Sequence, residues 1–166
     1  MQEFAMDALL LCVKAVLVAG PGVWMAVAVY DNWRHASLNR EAVATVMRFD
    51  FMAREYPEEF AIVAHRRIDD PKRIDLAFHA IRLAETIAAV ILLGASLCLL
   101  ASSIGWVSPA AAIAIAVSAM TYFCMIWAGF IIGGNYFHYY FCHPWGQSNH
   151  FMFMYWGLFV LVILLL

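Results

Sequence analysis

Residues 86–166 contain no Asp, Glu, Lys or Arg. A water-soluble fold cannot leave half its chain without a charged face, because the result would be a large exposed apolar patch. The whole chain has 65% hydrophobic and 13% charged residues, with a mean hydropathy of +0.78. Soluble domains run near 45–50% apolar and about 25% charged. The solvent for this chain is therefore a lipid bilayer.

A spanning helix needs about 20 mostly apolar residues, and a small single chain can satisfy its backbone inside lipid only as helix. Four segments qualify, at about 8–30, 76–101, 108–133 and 147–166. The expected fold is all-α: a single polytopic membrane domain of four transmembrane helices. The ends carry helix signals. Asp70 precedes Pro71, and Ser108 precedes Pro109, each pairing an N-cap with a proline at the first helical position. Gly133-Gly134 is expected to end the third helix, and Pro21 to kink the first. The first apolar run has a cleavage-like Ala26-Val27-Ala28. Glu3 and Asp7 precede it where a signal peptide would be basic, so it is read as a retained helix.

The connections are unequal. The polar loop 31–75 carries eight of the ten Lys/Arg and nine of the twelve Asp/Glu. Within it, 37–55 reads as one amphipathic helix. Leu38, Val43, Val46, Met47 and Phe51 form its apolar face, Arg40, Glu41, Arg48 and Glu55 the opposite side, and Pro57 its end. The loop 134–146 is aromatic and contains His138 and His143, which suits an interfacial belt. Four crossings put both chain ends on one side, side A. The two long loops share side B, and all six histidines fall at that side. The Lys/Arg count alone puts side B in the cytoplasm.

Three groups of residues are candidates for function. The polar face Asp75, His79, Arg82 and Glu85 follows helical spacing. Glu85 is expected roughly 12 Å inside the hydrocarbon edge by the helical rise, where a carboxylate needs a partner. Lys14 could meet it near mid-membrane, or snorkel to side A while Glu85 ties helices together; the second arrangement is the expectation. His138, Cys142, His143 and His150 are the metal candidates, since imidazole and thiolate suit zinc or copper. The same segment also reads as an interfacial helix, and a haem across His79 and a later histidine is a further alternative. Gly129 and Gly133 form a small-residue packing pattern, within the bundle or against a partner, with Ala112, Ala116 and Ala119 on the same helix. Cys12, Cys98 and Cys124 are read as small apolar residues.

No phosphate-binding glycine loop, nucleophile elbow or zinc-protease motif occurs, so no enzyme activity is expected. No basic patch supports nucleic-acid binding.

The segments Asp31-Asn32-Trp33, Phe49-Asp50, Arg66-Arg67-Ile68-Asp69, Phe78-His79 through Glu85 to Gly94, and Trp145-Gly146-Gln147 occur in a familiar order. In these the chain resembles the bacterial family of predicted small integral membrane proteins (domain of unknown function 2165). The resemblance implies four spanning helices in the bacterial inner membrane, with cytoplasmic ends and a periplasmic first loop. That orientation opposes the Lys/Arg count. The preferred functional expectation is a non-catalytic accessory or structural subunit of a larger membrane complex, redox or respiratory in kind. Its partners are then the lipid bilayer and other membrane subunits. The alternative is a membrane protein that binds copper, zinc, haem or quinone on its histidine-rich side.

Overall fold

A computed structural model describes residues 2–166, with side chains from residue 5 onward. Eight α-helices follow in order: α1 (Gln2–Arg34), α2 (Ala36–Met47), α3 (Asp50–Glu55), α4 (Pro57–Val63), α5 (Pro71–Ser103), α6 (Pro109–Tyr136), α7 (Tyr139–Cys142) and α8 (Pro144–Leu165). Four of them, α1, α5, α6 and α8, are long and apolar enough to cross a membrane. α1 packs on α5, α5 on α6 and α6 on α8, and a smaller α8–α1 contact closes the bundle.

The buried seam follows a seven-residue rhythm. Leu11, Ala15, Val18 and Met25 face inward from α1, and Ala88, Leu92, Ala95 and Leu99 from α5. Ala112, Ala116, Ala119 and Phe123 do so from α6, and Val160 and Leu164 from α8. Alternating steps of three and four keep one face against a neighbour in left-handed packing. Much of the seam is alanine, because helices in lipid gain by close backbone approach rather than by leaving water. Between the spanning helices Gly157 is the closest fit, followed by Gly20 and Gly22. A Cβ on Gly22 would lie 3.1 Å from the Leu93 side chain, and one on Gly157 would lie 2.5 Å from Cys124 Sγ. Gly129 and Gly133 have nothing within 4 Å of that position. The GxxxG pair is therefore not a packing site within this chain.

The expected caps are present. Asp70 accepts a hydrogen bond from Lys72 N at 2.9 Å, and Ser108 from Ala111 N at 3.3 Å. The spanning helices run longer than the apolar segments suggest, chiefly toward side B. α6 passes through Gly133-Gly134 and stops at Tyr136, two residues before His138, whose φ of 50° turns the chain. α1 continues through Pro21.

The segment 37–55 is two helices. Phe49 sits at φ 56°, a left-handed conformation costing about 1–2 kcal/mol. Its ring is buried against Met52 and Val63, and that burial offsets the strain. Arg48 braces the bend through Glu41 and through Asp50 at 2.9 Å. Met47 is buried as expected, but Leu38 is 71% exposed, and Ala44 takes the inward place beside Met47 and Ile74. Leu38 precedes the stretch of α2 that meets α5.

This cap changes where α5 enters the membrane. Arg40 pairs with Asp75 at 2.5 Å, and Ile68 N donates to Met47 O at 3.0 Å, so the first turns of α5 stand in the side-B cap. Asn32, just past the apolar run of α1, hydrogen-bonds Glu85. Glu85 is therefore level with the side-B end of the apolar run of α1, rather than the roughly 12 Å inside it that the helical rise suggests.

Candidate functional site

The side-B end of the bundle holds a cavity of about 620 Å³, an open apolar groove along which Met125 is 64% exposed. One wall is α5, through Ala77, Ala80, Ile81 and Ala84. The facing wall is α6, through Met125, Ile126, Gly129, Phe130 and Gly133. Small side chains on both walls leave the gap open. α2 roofs it with Ala42, Val43, Val46 and Met47, while Tyr139 and His150 stand at its back. No Asp, Glu, Lys or Arg lines it. The volume is within the usual range for small-molecule pockets, about 300–1,000 Å³.

His150 is the chemical feature of this cavity. Its ring stacks between Phe130 (centroids 4.8 Å apart, 28° between planes) and Tyr139 (5.8 Å, 10°). Its Nδ1 is buried without a hydrogen-bond partner. A buried polar atom left unsatisfied costs about 1–3 kcal/mol. The stack continues from Tyr139 to His143 (4.9 Å), and Phe51 meets His143 edge-on (5.2 Å, 71° between planes). Aromatic rings thus run from the polar cap to the cavity.

The four metal candidates do not come together. His138 contacts Arg66 at 3.3 Å and the Tyr140 hydroxyl at 3.0 Å. Cys142 packs with Phe49, Met52 and Val63. His143 and His150 lie in the aromatic stack. Among the described residues, no three His, Cys, Asp or Glu side chains are placed to hold one metal ion. The physical reason is local: the positive φ at His138 and the new helix start at Pro144 turn these side chains to different neighbours.

The other polar candidates are also apart. Lys14 Nζ donates to Leu164 O at 3.2 Å, near the end of α8 on side A. This is the expected snorkelling direction, with the added role of satisfying a helix-terminal carbonyl. Glu85 and Asn32 are both buried, at 6% and 8% exposure, and tie α5 to α1. Beside them Arg82 lies 3.8 Å over the Trp33 ring and bonds His79 Nδ1 at 2.9 Å. His79 and Arg82 do not line the cavity.

Sequence reading missed Tyr139, Asn32 and the alanines of α5. The spacing of Ala77, Ala80 and Ala84 is the only advance signal, and it is a common one.

Burial lowers the pKa of His143, partly opposed by Glu55, and raises those of the Tyr139 hydroxyl and the Cys142 thiol. An unfolded histidine takes up its proton near 6.5, but docked His143 resists until lower pH. Its contribution to stability is complete above about 6.5 and is lost as pH falls through the lower folded value. The protection factors of the 139–143 amides, the unfolded-chain exchange rate over the observed rate at the same pH, should therefore fall on acidification. His143→Phe, which keeps the stack, should flatten that response; an unchanged response in the variant would contradict the assignment.

No curated protein and no solved structure matches the chain. The model of one family, described as predicted small integral membrane protein (DUF2165), matches residues 10–166. With four apolar spanning helices and a match over nearly its whole length, the chain belongs to that family of multi-pass integral membrane proteins.

Proposed function

We propose that this is a small, non-catalytic protein of the bacterial inner membrane that holds a hydrophobic molecule between α5 and α6. The carrying observation is the 620 Å³ gap between Ala77, Ala80 and Ala84 of α5 and Met125, Gly129, Phe130 and Gly133 of α6, roofed by α2. In a bundle whose other seams are closed by the same residue types, these walls are left apart. The roof favours a small molecule over a transmembrane helix, since a helix passing toward side B would meet Ala42, Val43 and Val46. Of the sequence-level alternatives, ligand binding thus moves ahead.

The accessory-subunit reading has a separate support. Gly129 and Gly133 form a small-residue face with no neighbour inside the chain, and such faces associate helices in lipid. The two readings compete for one face, since Gly129 and Gly133 also line the gap.

One variant tests both. Leucine at Gly133 meets no atom near its Cβ but would intrude on the gap. Protein purified in mild detergent should retain about one hydrophobic molecule per chain, and Gly133→Leu should lose most of it while keeping its helicity and melting temperature. Equal retention by both proteins would overturn the ligand reading. Loss of a stoichiometric protein partner, with the bound molecule unchanged, would favour the subunit reading instead.

A further inference from the structure

We infer that the molecule in the α5–α6 cavity is a neutral, ring-bearing isoprenoid of the quinone class, with its ring at His150. This rests on the ligand reading above and narrows it.

Charge is the first discriminator. No ionic side chain lines the cavity, so nothing there compensates a phosphate headgroup, and burying an unpaired charge is strongly unfavourable. The occupant is neutral. Position is the second. His150 is in the second turn of α8 and Ala84 adjoins Glu85, the residue tied to Asn32 at the end of the apolar run of α1. The cavity therefore lies level with the side-B end of the apolar run of α1. A molecule there can place a weakly polar head at the boundary and an apolar chain in the membrane.

The third discriminator is the chemistry of His150. Neutral imidazole has one donor nitrogen and one acceptor nitrogen, and either tautomer is available. A ring carbonyl can accept from it, and a ring hydroxyl can donate to it. One side chain thus recognises both the carbonyl and the hydroxyl form of the same ring. Shape is the fourth. The imidazole is already part of a near-parallel aromatic stack with Tyr139 and Phe130, and the walls at Ala80 and Gly133 carry little side-chain relief. Such a slot suits a flat ring better than a glycerol backbone. Binding alone is inferred; no electron or proton transfer is assigned to it.

Native mass spectrometry of the full-length protein tests this by titration with decylubiquinone, dioleoylglycerol and dioleoylphosphatidylglycerol in separate experiments. Decylubiquinone should bind saturably as a single adduct, more tightly than either glycerolipid. His150→Phe keeps the stacked ring and removes the nitrogens. It should weaken decylubiquinone binding about tenfold, the scale of one hydrogen bond. Gly133→Leu should weaken every ligand that enters. Unchanged decylubiquinone affinity in His150→Phe would overturn the inference, as would tighter binding of either glycerolipid. If dioleoylglycerol binds saturably and is lost in Gly133→Leu while decylubiquinone fails to bind, the quinone assignment falls and the cavity reading survives. If none of the three binds saturably, both fall.

Discussion

Gly157→Val should unfold at a markedly lower temperature than the parent protein. Gly157 is where α8 lies closest to α6. An added Cβ would stand 2.5 Å from Cys124 Sγ and 2.9 Å from the Phe123 ring. Neither neighbour is free to withdraw. Phe123 is fully buried and packs edge-on against Trp127 and Trp156, with ring centroids 5.8 and 6.5 Å away. The helices must separate, and overpacking of this kind costs about 1–3 kcal/mol. For a chain of this length that is a loss of several degrees, at about 2–4 °C per kcal/mol. Gly129→Ala is the control, since its added methyl enters open space. It should melt within about a degree of wild type or above it, because alanine is the better helix former. Tryptophan fluorescence during heating gives both values. Equal melting of the two variants would mean that the α6–α8 contact is not as close as described.

The second large effect concerns Asn32. Its side-chain amide is the hydrogen-bond partner of the Glu85 carboxyl, and both groups are buried between α1 and α5. Asn32→Ala leaves that carboxyl without a partner, at a cost of about 2–3 kcal/mol. Glu85→Gln keeps an acceptor for the Asn32 amide and should lose far less. The double variant Asn32→Leu with Glu85→Leu removes both polar groups together. It should recover much of the stability lost in Asn32→Ala, which is the non-additivity of a directly coupled pair. Additive losses across the set would show that the two side chains do not interact.

These two sites also mark what was legible in the sequence. The four spans were legible because each is a run of about 20 mostly apolar residues, and the last 81 residues carry no Asp, Glu, Lys or Arg at all. The caps at Asp70 and Ser108 were legible because each needs only a local hydrogen bond. The packing glycines were not. Gly129 and Gly133 carry the familiar spacing yet face a gap, whereas Gly157 has no glycine partner and makes the tightest glycine contact between spanning helices. Helices that are apolar all round give no stripe from which to read an inward face; the three-and-four rhythm separates alanine from other apolar residues, not apolar from polar.

Tertiary contacts explain the remaining differences. Phe49 is not a residue type that signals a left-handed break, so 37–55 reads as one helix until its ring is seen buried under α4. The depth of Glu85 depended on where α5 meets the membrane, and the Arg40–Asp75 pair, 35 residues apart in sequence, moves that point. His150 was legible as a candidate ligand, but its role depends on Phe130 and Tyr139, which flank it only after α6, α7 and α8 are assembled. The cavity itself is a property of two helices held apart and has no signature within either one.

The most direct test of the ligand-holding account is a density map of the protein isolated with its native lipids. The account predicts elongated density between Ala80 and Gly133, beneath α2 and ending beside His150. A map in which Ala80 packs directly on Gly133, with α5 and α6 closed together and no space at His150, would contradict it.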